Sequence, residues 1–346
     1  MIVRKIATVL AAALAVSAVT VTAFADSKGI GINEKNFPDE VFRGYVSDNF
    51  DTDKNGYLSR DERKAVTEIN VGYKWEKYDW ENLVRSVKGI EYFPRLKKID
   101  CTECYLESID VSKNKRLTHL MCRGSVFTEL DVSNNAKLKR LECDRADKTG
   151  PGGIKHLDLS NNPELEYLSC TGNEIEAIDV SKNTKLEYFS CGVNAIKELD
   201  LSKNVKLKEL FCTGNKLKRL DVSKNPELEA LCCNNCGLTK LDVANNTKLK
   251  TLACNENKLK KLDLKNNAGL EELWCFSNRL TKLDVSGCPE LTELNCAYNK
   301  LTELNVKSCP ELEKIRCASN ELTELDVSGC KDGIDFNCDS GVKIIE

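Results

Sequence analysis

The sequence predicts a solenoid of short extended coils, because one 21-residue pattern repeats through most of its 346 residues. Each copy has two similar halves, Leu-x-x-Leu-x-Cys-x-x-Asn-x and Leu-x-x-Leu-Asp-Val-Ser-x-Asn-x-x. The alternation around the second Leu of each half has the period of a β-strand. The copies begin at Leu96, Leu117, Leu138, Leu165, Leu186, Leu207, Leu228, Leu249, Leu270, Leu291 and Leu312. We therefore expect β-rich parallel coils, extended on both sides, with little helix.

The repeats occupy residues 96–332, and their period breaks only once. Six extra residues rich in Gly and Pro lie between Cys143 and Ile154, where we expect a surface loop. Residues 333–346 form a partial last coil that would cover the open end of the stack. Residues 70–95 precede the repeats as an aromatic connecting segment and a degenerate half-coil from Val84 to Phe93. Inside each coil, four Leu-type side chains, the Cys and the Val should point inward, and stacking on neighbouring coils should stabilise the array.

The motif Leu-x-x-Leu-x-Cys-x-x-Asn-x-Leu resembles the leucine-rich-repeat consensus with Cys in its third apolar position. Its 21-residue, cysteine-bearing form is similar to the internalin-J-like repeats of bacterial surface proteins. The resemblance covers residues 96 to about 332 and implies a leucine-rich-repeat solenoid. For function it implies adhesion or protein recognition.

The N-terminus has the layout of a secretory signal peptide, which we assign to residues 1–25. Arg4 and Lys5 precede an apolar run from Ile6 to Val21, and Ala23-Phe24-Ala25 supplies a small-residue cleavage site. No second apolar stretch follows, so we expect no membrane insertion after signal removal. We expect secretion to the extracellular space, with at most a loose association with the cell surface.

The charge of the mature chain gives no reason to expect nucleic acid as a partner. Without Arg4 and Lys5 the 51 basic residues become 49, against 54 acidic residues, which leaves a net charge of −5. The two signs are interspersed along the sequence, unlike the basic patches that bind phosphate backbones.

The 18 cysteines would normally suggest a disulfide framework in an exported protein. Twelve of them, however, from Cys101 to Cys338, occupy the same inward position of successive coils. Neighbouring parallel strands lie about 4.8 Å apart, whereas a disulfide requires Cβ atoms about 3.8 Å apart. We therefore expect a buried ladder of free thiols, with only Cys232 facing outward. Five further cysteines stand where other coils have a corner Asn: Cys104 and Cys236 at the first corner, and Cys288, Cys309 and Cys330 at the second.

Two polar columns accompany the ladder. The corner Asn residues should bond backbone groups from coil to coil. A column of Asp should face outward, interrupted by Asn305: Asp110, Asp131, Asp158, Asp179, Asp200, Asp221, Asp242, Asp263, Asp284 and Asp326. Its uniformity favours a structural role, such as accepting bonds from turn amides, and a cation-binding ridge is the alternative.

Residues 51–62, ahead of the repeats, match the EF-hand calcium loop. Side-chain oxygens would come from Asp51, Asp53 and Asn55, a carbonyl from Tyr57, a direct or water-mediated ligand from Ser59, and two oxygens from Glu62. Gly56 permits the sharp turn. We expect helices on both sides, the first beginning near Pro38 and the second near Arg60, so that residues 26–69 form a small helical cap that binds Ca²⁺. The alternative is an acidic turn without metal.

Outward positions that vary between coils mark the predicted binding face. The residue between the second Leu and the Cys differs at almost every coil and includes Phe211 and Trp274, with Phe276 and Tyr298 on the same side. Exposed aromatic side chains of this kind favour contacts with a protein or a polysaccharide. Scattered aromatics without function are the alternative, and the aromatic segment from Tyr73 to Trp80 is a second possible binding loop.

Catalysis is not expected, because the two histidines, His119 and His156, lie at outward repeat positions without a nucleophile in register. The sequence therefore predicts a non-enzymatic binding module. A structural or self-assembling surface protein without a selective ligand is the alternative.

Overall fold

The computed structural model describes residues 29–72, 83–145 and 152–345. In these ranges the chain is a parallel β-solenoid with two short helices before it. The predicted signal peptide, the aromatic segment from Tyr73 to Trp80 and residues 146–151 of the predicted insert lie outside the described residues.

The two helices flank the acidic loop. Helix α1 (Glu40–Phe50) begins after Asp39, whose Oδ1 accepts a hydrogen bond from the Phe42 backbone N–H at 2.8 Å. Helix α2 (Arg60–Ala65) begins after Ser59. Strand β2 (Tyr57–Leu58), within the loop, pairs antiparallel with β1 (Ile30–Gly31). Both helices therefore begin where the sequence predicts.

One parallel sheet of 13 strands runs along the solenoid. It contains β3 (Glu68–Asn70), β4 (Lys98–Asp100), β5 (His119–Met121), β6 (Arg140–Glu142), β7 (Tyr167–Ser169), β8 (Tyr188–Ser190), β9 (Glu209–Phe211), β10 (Ala230–Cys232), β11 (Thr251–Ala253), β12 (Glu272–Trp274), β14 (Glu293–Asn295), β16 (Lys314–Arg316) and β18 (Asp335–Asn337). Ile69 pairs with Ile99 and is fully buried. The sheet therefore begins one strand before the predicted start of the repeats at residue 96.

The inward positions are those that the sequence predicts. In a representative coil every predicted inward side chain is at most 8% exposed: Leu207, Leu210, Cys212, Leu217, Leu220 and Val222. Within the sheet each buried Leu pairs with its equivalent on the next strand, as Leu210 does with Leu231. The 21-residue period thus becomes one continuous apolar core.

We call the half of each coil that carries Leu-x-x-Leu-Asp-Val-Ser the second side. The sequence predicts extended strands on this side in every coil, and the structure differs from that prediction. Among the described residues, paired strands occur there only in the last coils: β13 (Lys282–Asp284) with β15 (Glu303–Asn305), and β17 (Glu324–Asp326) with β19 (Lys343–Ile345). In this region Gly287 and Gly329 stand directly before the second-corner residues Cys288 and Cys330, where the other coils have a residue with a side chain. A Cβ at residue 329 would lie 2.0 Å from the Lys307 carbonyl oxygen, so the absent side chain allows the close approach of the coils.

Two asparagine columns bond the coils together, as predicted. At the first corner, Asn215 Nδ2 donates to the carbonyls of Cys191 and Cys212, and its Oδ1 accepts the Ile196 N–H at 3.0 Å. At the second corner, Asn225 Nδ2 donates to the carbonyls of Leu201 and Asn204. These bonds satisfy buried backbone carbonyls at both turns.

All 18 cysteines fall within the described residues, and all are free thiols there. The corner cysteines replace Asn as donors: Cys236 Sγ lies 3.2 Å from the Cys212 carbonyl oxygen, and Cys309 Sγ lies 3.3 Å from that of Val285. Cys232 is partly exposed on the outward side of the sheet, as expected. Cys330 and Cys338 pack against the core but are also partly exposed. They lie in the last coils, where no further coil covers them.

Candidate functional site

The acidic loop brings three carboxylates together. One carboxylate oxygen from each of Asp51, Asp53 and Glu62 lies within 4.8 Å of the other two. Asp51 is 5% exposed and Glu62 is 9% exposed, so two of the three are withdrawn from water. Hard oxygen ligands grouped in this way suit Ca²⁺.

Backbone amides hold these carboxylates in place. Asp51 accepts the N–H of Asn55 at 3.1 Å and of Gly56 at 2.9 Å. Gly56 has φ +79°, the left-handed conformation that the sharp turn requires. Asn55 Oδ1 accepts the Tyr57 N–H at 2.8 Å. The loop is therefore ordered by its own hydrogen bonds.

Glu62 anchors the loop to both of its ends. Its Oε1 accepts the backbone N–H and the hydroxyl of Thr52, each at 2.7 Å, and its Oε2 accepts the Ser59 N–H at 2.8 Å. Burial alone would raise the pKa of Glu62, but the hydrogen bonds from Thr52 and Ser59 outweigh it and lower the pKa to about 2. Glu62 is therefore ionised at neutral pH.

The loop is joined to the solenoid through short connections. Only residues 66 and 67 separate α2 from β3, the first strand of the large sheet. The Tyr45 hydroxyl accepts the Asn70 N–H at 3.2 Å, and Asp39 Oδ2 accepts the backbone N–H of Arg85 at 2.8 Å. These bonds and the short connection join the helices that flank the loop to the first strand of the sheet and to Arg85.

We call the outward side of the 13-stranded sheet, with the residues that follow each strand, the recognition face. Phe211 and Trp274 lie on it in the same column, and both are half-buried. Phe276 follows β12, and Tyr298 is 64% exposed. Three strand spacings of about 4.8 Å each separate Phe211 from Trp274. The structure thus places the four predicted residues on one face but not in one cluster.

A further aromatic stack lies on this face, which the sequence reasoning did not include among the site residues. The rings of Tyr167 and Tyr188 are 4.0 Å apart and nearly parallel, and Phe211 lies 5.4 Å from Tyr188. The Arg140 guanidinium lies 3.7 Å from the Tyr167 ring centre. The six-residue insert obscures the pairing of Arg140 with Tyr167, which are adjacent in space although 27 residues apart.

Polar side chains extend the stack along the face. Asp144 Oδ1 accepts the Ser169 hydroxyl at 2.5 Å and the Thr171 N–H at 2.7 Å, and the hydroxyls of Thr171 and Ser190 are 2.8 Å apart. These residues and the two tyrosines line a groove of about 450 Å³. The face therefore combines aromatic and hydrogen-bonding groups.

The Asp column has the structural role that its uniformity predicts. Asp221 Oδ1 accepts the backbone N–H of Ser223 at 2.9 Å, and the same bond recurs in the other coils. Where Asn305 interrupts the column, its Oδ1 accepts the Lys307 N–H in the same way. Hydrogen bonds from Ser223 lower the pKa of Asp221. These carboxylates cap turns.

The second side also has grooves, and the larger ones run between its charged columns. One of about 640 Å³ is lined by Lys260, Asp263, Lys282 and Asp284 among others. Asp263 and Asp284 belong to the uniform Asp column, whereas Lys260 and Lys282 belong to columns that change in charge between coils. This groove is therefore the alternative candidate for a ligand-binding surface.

His119 lies outward on β5, as predicted. It pairs across the sheet with Lys98 and Arg140. Burial, followed by the charges of these two neighbours, lowers its pKa. Thr118 Oγ1 lies 2.9 Å from its Nδ1.

The family described as "Leucine Rich repeats (2 copies)" matches residues 268–308. No curated protein matches the chain in sequence. None of the described helices is long and apolar enough to span a membrane.

Solved structures share the fold. The chain is similar to a structure described as "Functional domain of InlJ from Listeria monocytogenes includes a cysteine ladder", with 28% identity over 92% of this chain and 72% of that one, and a TM-score of 0.75. The Leptospira interrogans leucine-rich-repeat protein LIC12759 has 19% identity over 74% and 69% of the two chains, with a TM-score of 0.65. An internalin, inlF, from Listeria monocytogenes has 21% identity over 83% and 97%, with a TM-score of 0.53.

These matches establish a leucine-rich-repeat solenoid, an architecture that typically serves as a protein-binding scaffold. They indicate no catalytic family.

Proposed function

We propose that this chain is a secreted, non-catalytic binding protein that recognises a protein or polysaccharide on its recognition face. The observation that carries the proposal is the contrast between the two sides of the solenoid. On the second side the same Asp makes the same turn bond in successive coils. On the recognition face the residue between the second Leu and the Cys changes from coil to coil, and we expect this column to select the ligand.

Aromatic side chains supply candidate anchors on this face. Trp274 and Phe276 are half-buried, and Tyr298 is the most exposed large apolar side chain of the described residues. Truncation of an aromatic anchor at a binding hot spot typically costs at least about 2 kcal/mol, or roughly thirtyfold in affinity. Phe211, next to the tyrosine stack, extends the same surface.

The proposal is tested by capture of ligands from host secretions, polysaccharides and cell walls with the mature chain. We expect the Trp274→Ala and Phe276→Ala double variant to lose the ligand that the parent captures, with an unchanged unfolding midpoint. Lys218→Ala with Lys260→Ala is the matched control on the opposite side and should bind as the parent does. If the lysine variant loses the ligand and the aromatic variant keeps it, the recognition surface is wrong. Self-assembly without any captured ligand would support the structural alternative.

We further propose that the acidic loop binds one Ca²⁺ and stabilises the N-terminal end of the sheet. Asp51, Asp53, Asn55 and Glu62 would supply side-chain oxygens, Tyr57 a carbonyl and Ser59 a direct or water-mediated ligand. The grouping of three carboxylates supports this proposal. The short path from α2 to β3 supports a stabilising rather than a sensing role.

Calorimetry tests the calcium proposal. We expect one site with a dissociation constant of about 10⁻⁴–10⁻³ M, the range of extracellular modules. Glu62→Gln should abolish the heat of binding, whereas Asp61→Asn removes an adjacent charge from a position that does not ligate and should bind as the parent does. An absence of heat in the parent, or unchanged binding in Glu62→Gln, would refute the calcium site.

Secretion rests on the N-terminal signal pattern. We propose cleavage after Ala25, so that the exported chain begins at Asp26. The mass of the protein recovered from the culture medium checks this directly, and a full-length N-terminus in the medium would contradict it.

A further inference from the structure

On the recognition face Phe211 and Trp274 stand on either side of strands β10 and β11, and we call the surface between these two aromatic walls the slot. The strands between them carry only small or neutral outward side chains: Ala230 and Cys232 on β10, and Thr251 and Ala253 on β11. Three strand spacings of about 4.8 Å place the walls roughly 14 Å apart. Because Phe211 already contacts Tyr188, on the side away from the slot, the space above Cys232 remains open to an extended chain.

Two carboxylates mark one end of this slot. Glu209 and Glu272 lie on the wall strands, each two residues before its aromatic and therefore on the same side of the sheet. Burial raises the pKa of the Cys232 thiol, and the charges of Glu209 and Glu272 raise it further, to about 11. Both carboxylates thus act on the floor of the slot.

These carboxylates are not neutralised within the described chain. Glu209 and Glu272 form no ion pair there, whereas the neighbouring Lys208 is already paired with Glu187 at 2.8 Å. The floor itself carries no charged side chain. The slot is therefore negative at this end, between two aromatic walls.

Amide donors mark the other end. Asn234 Oδ1 accepts the Asn255 N–H at 2.8 Å, and Asn255 Oδ1 accepts the Phe276 N–H at 3.2 Å. Both carboxamide oxygens are thereby used, and neither Nδ2 group has a hydrogen-bonding partner among residues that the structure describes. Asn255 is nevertheless only 8% exposed. Because its Nδ2 is not among the buried unpartnered atoms, this donor reaches the surface, where it suits a ligand carbonyl.

We propose that the slot binds an arginine or lysine side chain from an extended segment of a partner protein. Its aliphatic stem lies across Cys232, its cation lies between Glu209 and Glu272 beside the Trp274 ring, and its backbone carbonyls accept from Asn234 and Asn255. Aromatic faces and unpaired carboxylates both attract cations. A neutral polysaccharide has no positive charge with which to pair the two carboxylates. This inference rests on the proposed recognition face and selects a protein ligand over a polysaccharide.

Cys232 provides a direct measurement, because it is a partly exposed thiol on the slot floor. The probe is a synthetic 12-residue Gly/Ser peptide with one central Arg flanked by Leu, used with Lys and Gln versions of the same peptide. Iodoacetamide alkylation of the native full chain is mapped by mass spectrometry. At ten times its dissociation constant the Arg peptide should slow alkylation of Cys232 about tenfold, by mass action. Cys338, partly exposed at the far end, should be unaffected.

The Glu209→Gln and Glu272→Gln double variant tests the role of charge. Both side chains are on the surface, so the fold should persist, and the rate ratio with and without peptide corrects for any change in thiol reactivity. We expect the Arg peptide to lose its protection of Cys232 in this variant, and protection in the parent to weaken with added salt. The Lys peptide should protect as the Arg peptide does, or more weakly, and the Gln peptide should not protect.

Equal protection by the Gln peptide would overturn the cation site. Protection by cellohexaose but not by the Arg peptide would assign the slot to a polysaccharide instead. If the Arg peptide gives no protection while Trp274→Ala with Phe276→Ala still abolishes ligand capture, the slot assignment fails and the recognition face stands. If the peptide protects but that aromatic variant captures its ligand normally, the slot assignment stands and the proposed function fails.

Discussion

Asn225 donates a hydrogen bond from Nδ2 to the backbone carbonyl of Asn204, 2.9 Å away on the preceding coil. Asn204 donates in the same way to Asn183, so the second corner is a chain of amide donors. The Oδ1 atoms of these residues have no partner among the described residues. The second corner therefore uses Asn as a donor only, a role that the thiols of Cys288 and Cys309 can also fill. At the first corner Cys236 fills only the donor part of the Asn role.

This difference between the corners predicts unequal costs for the same substitution. Asn215→Cys would leave the buried Ile196 N–H without an acceptor, at a cost of about 1–3 kcal/mol in the free energy of unfolding. Asn225→Cys retains a donor, although a weak one, and should cost less. Urea denaturation at constant m-value measures both changes. If Asn225→Cys is as destabilising as Asn215→Cys, the unpaired Oδ1 atoms have been assigned wrongly.

The Asp column predicts a specific pH dependence. The pKa values of Asp179, Asp200 and Asp221 are lowered by hydrogen bonds from the Ser residues that follow them. A carboxylate with a lowered folded-state pKa adds stability above its ordinary value of 3.8, and this stability is lost as the pH falls through the folded-state pKa. Replacement of all three by Asn keeps an oxygen acceptor but removes the titration.

We therefore expect the triple Asn variant to be less stable than the parent at pH 7 and equal to it near pH 2. The triple Ala variant lacks the acceptor and should be less stable at both values. Urea midpoints at the two pH values provide the comparison. Equal stability of the Asn variant and the parent at pH 7 would show that these turns depend on the acceptor and not on its charge.

The thiol ladder predicts slow and selective chemistry. Burial raises the pKa of inward thiols such as Cys122, Cys233 and Cys275 well above the usual value, so they stay protonated and unreactive. In native protein a thiol reagent should first modify the partly exposed Cys232, Cys330 and Cys338. After denaturation at least twelve thiols should react. Fewer than six would mean that disulfides dominate.

The inward positions, the Asn and Asp columns and the starts of both helices could be predicted from sequence, because each depends on a local pattern repeated at fixed spacing. The first strand of the sheet could not, since Val66 and Val71 stand there in place of the first Leu and the Cys, so the consensus is not recognisable around Ile69. The extent of strand pairing on the second side was also predicted wrongly, because extended structure was expected in every coil and, among the described residues, paired strands occur only in the last ones. It depends on how closely coils approach at Gly329, which a single repeat does not reveal.

The recognition face was predicted as a set of outward residues but not as a set of contacts. The Tyr167 and Tyr188 stack follows from the period itself, as the two residues are 21 apart and pair in register. Its extension to Arg140 crosses the insert, where the period fails. The partial exposure of Cys330 and Cys338 depends on their place at the end of the stack rather than on the repeat pattern.

Hydroxyl-radical footprinting of the mature chain with its captured ligand tests the central claim most directly, because it reports the solvent access of individual side chains. Trp274, Phe276, Phe211 and Tyr298 should each be protected in the complex, whereas Val205, an exposed valine outside the recognition face, should react at the same rate in the free and bound states. Unchanged oxidation of the four aromatic residues, together with protection of Val205 and of Lys260 in the groove on the second side, would contradict ligand recognition by the variable face of the sheet.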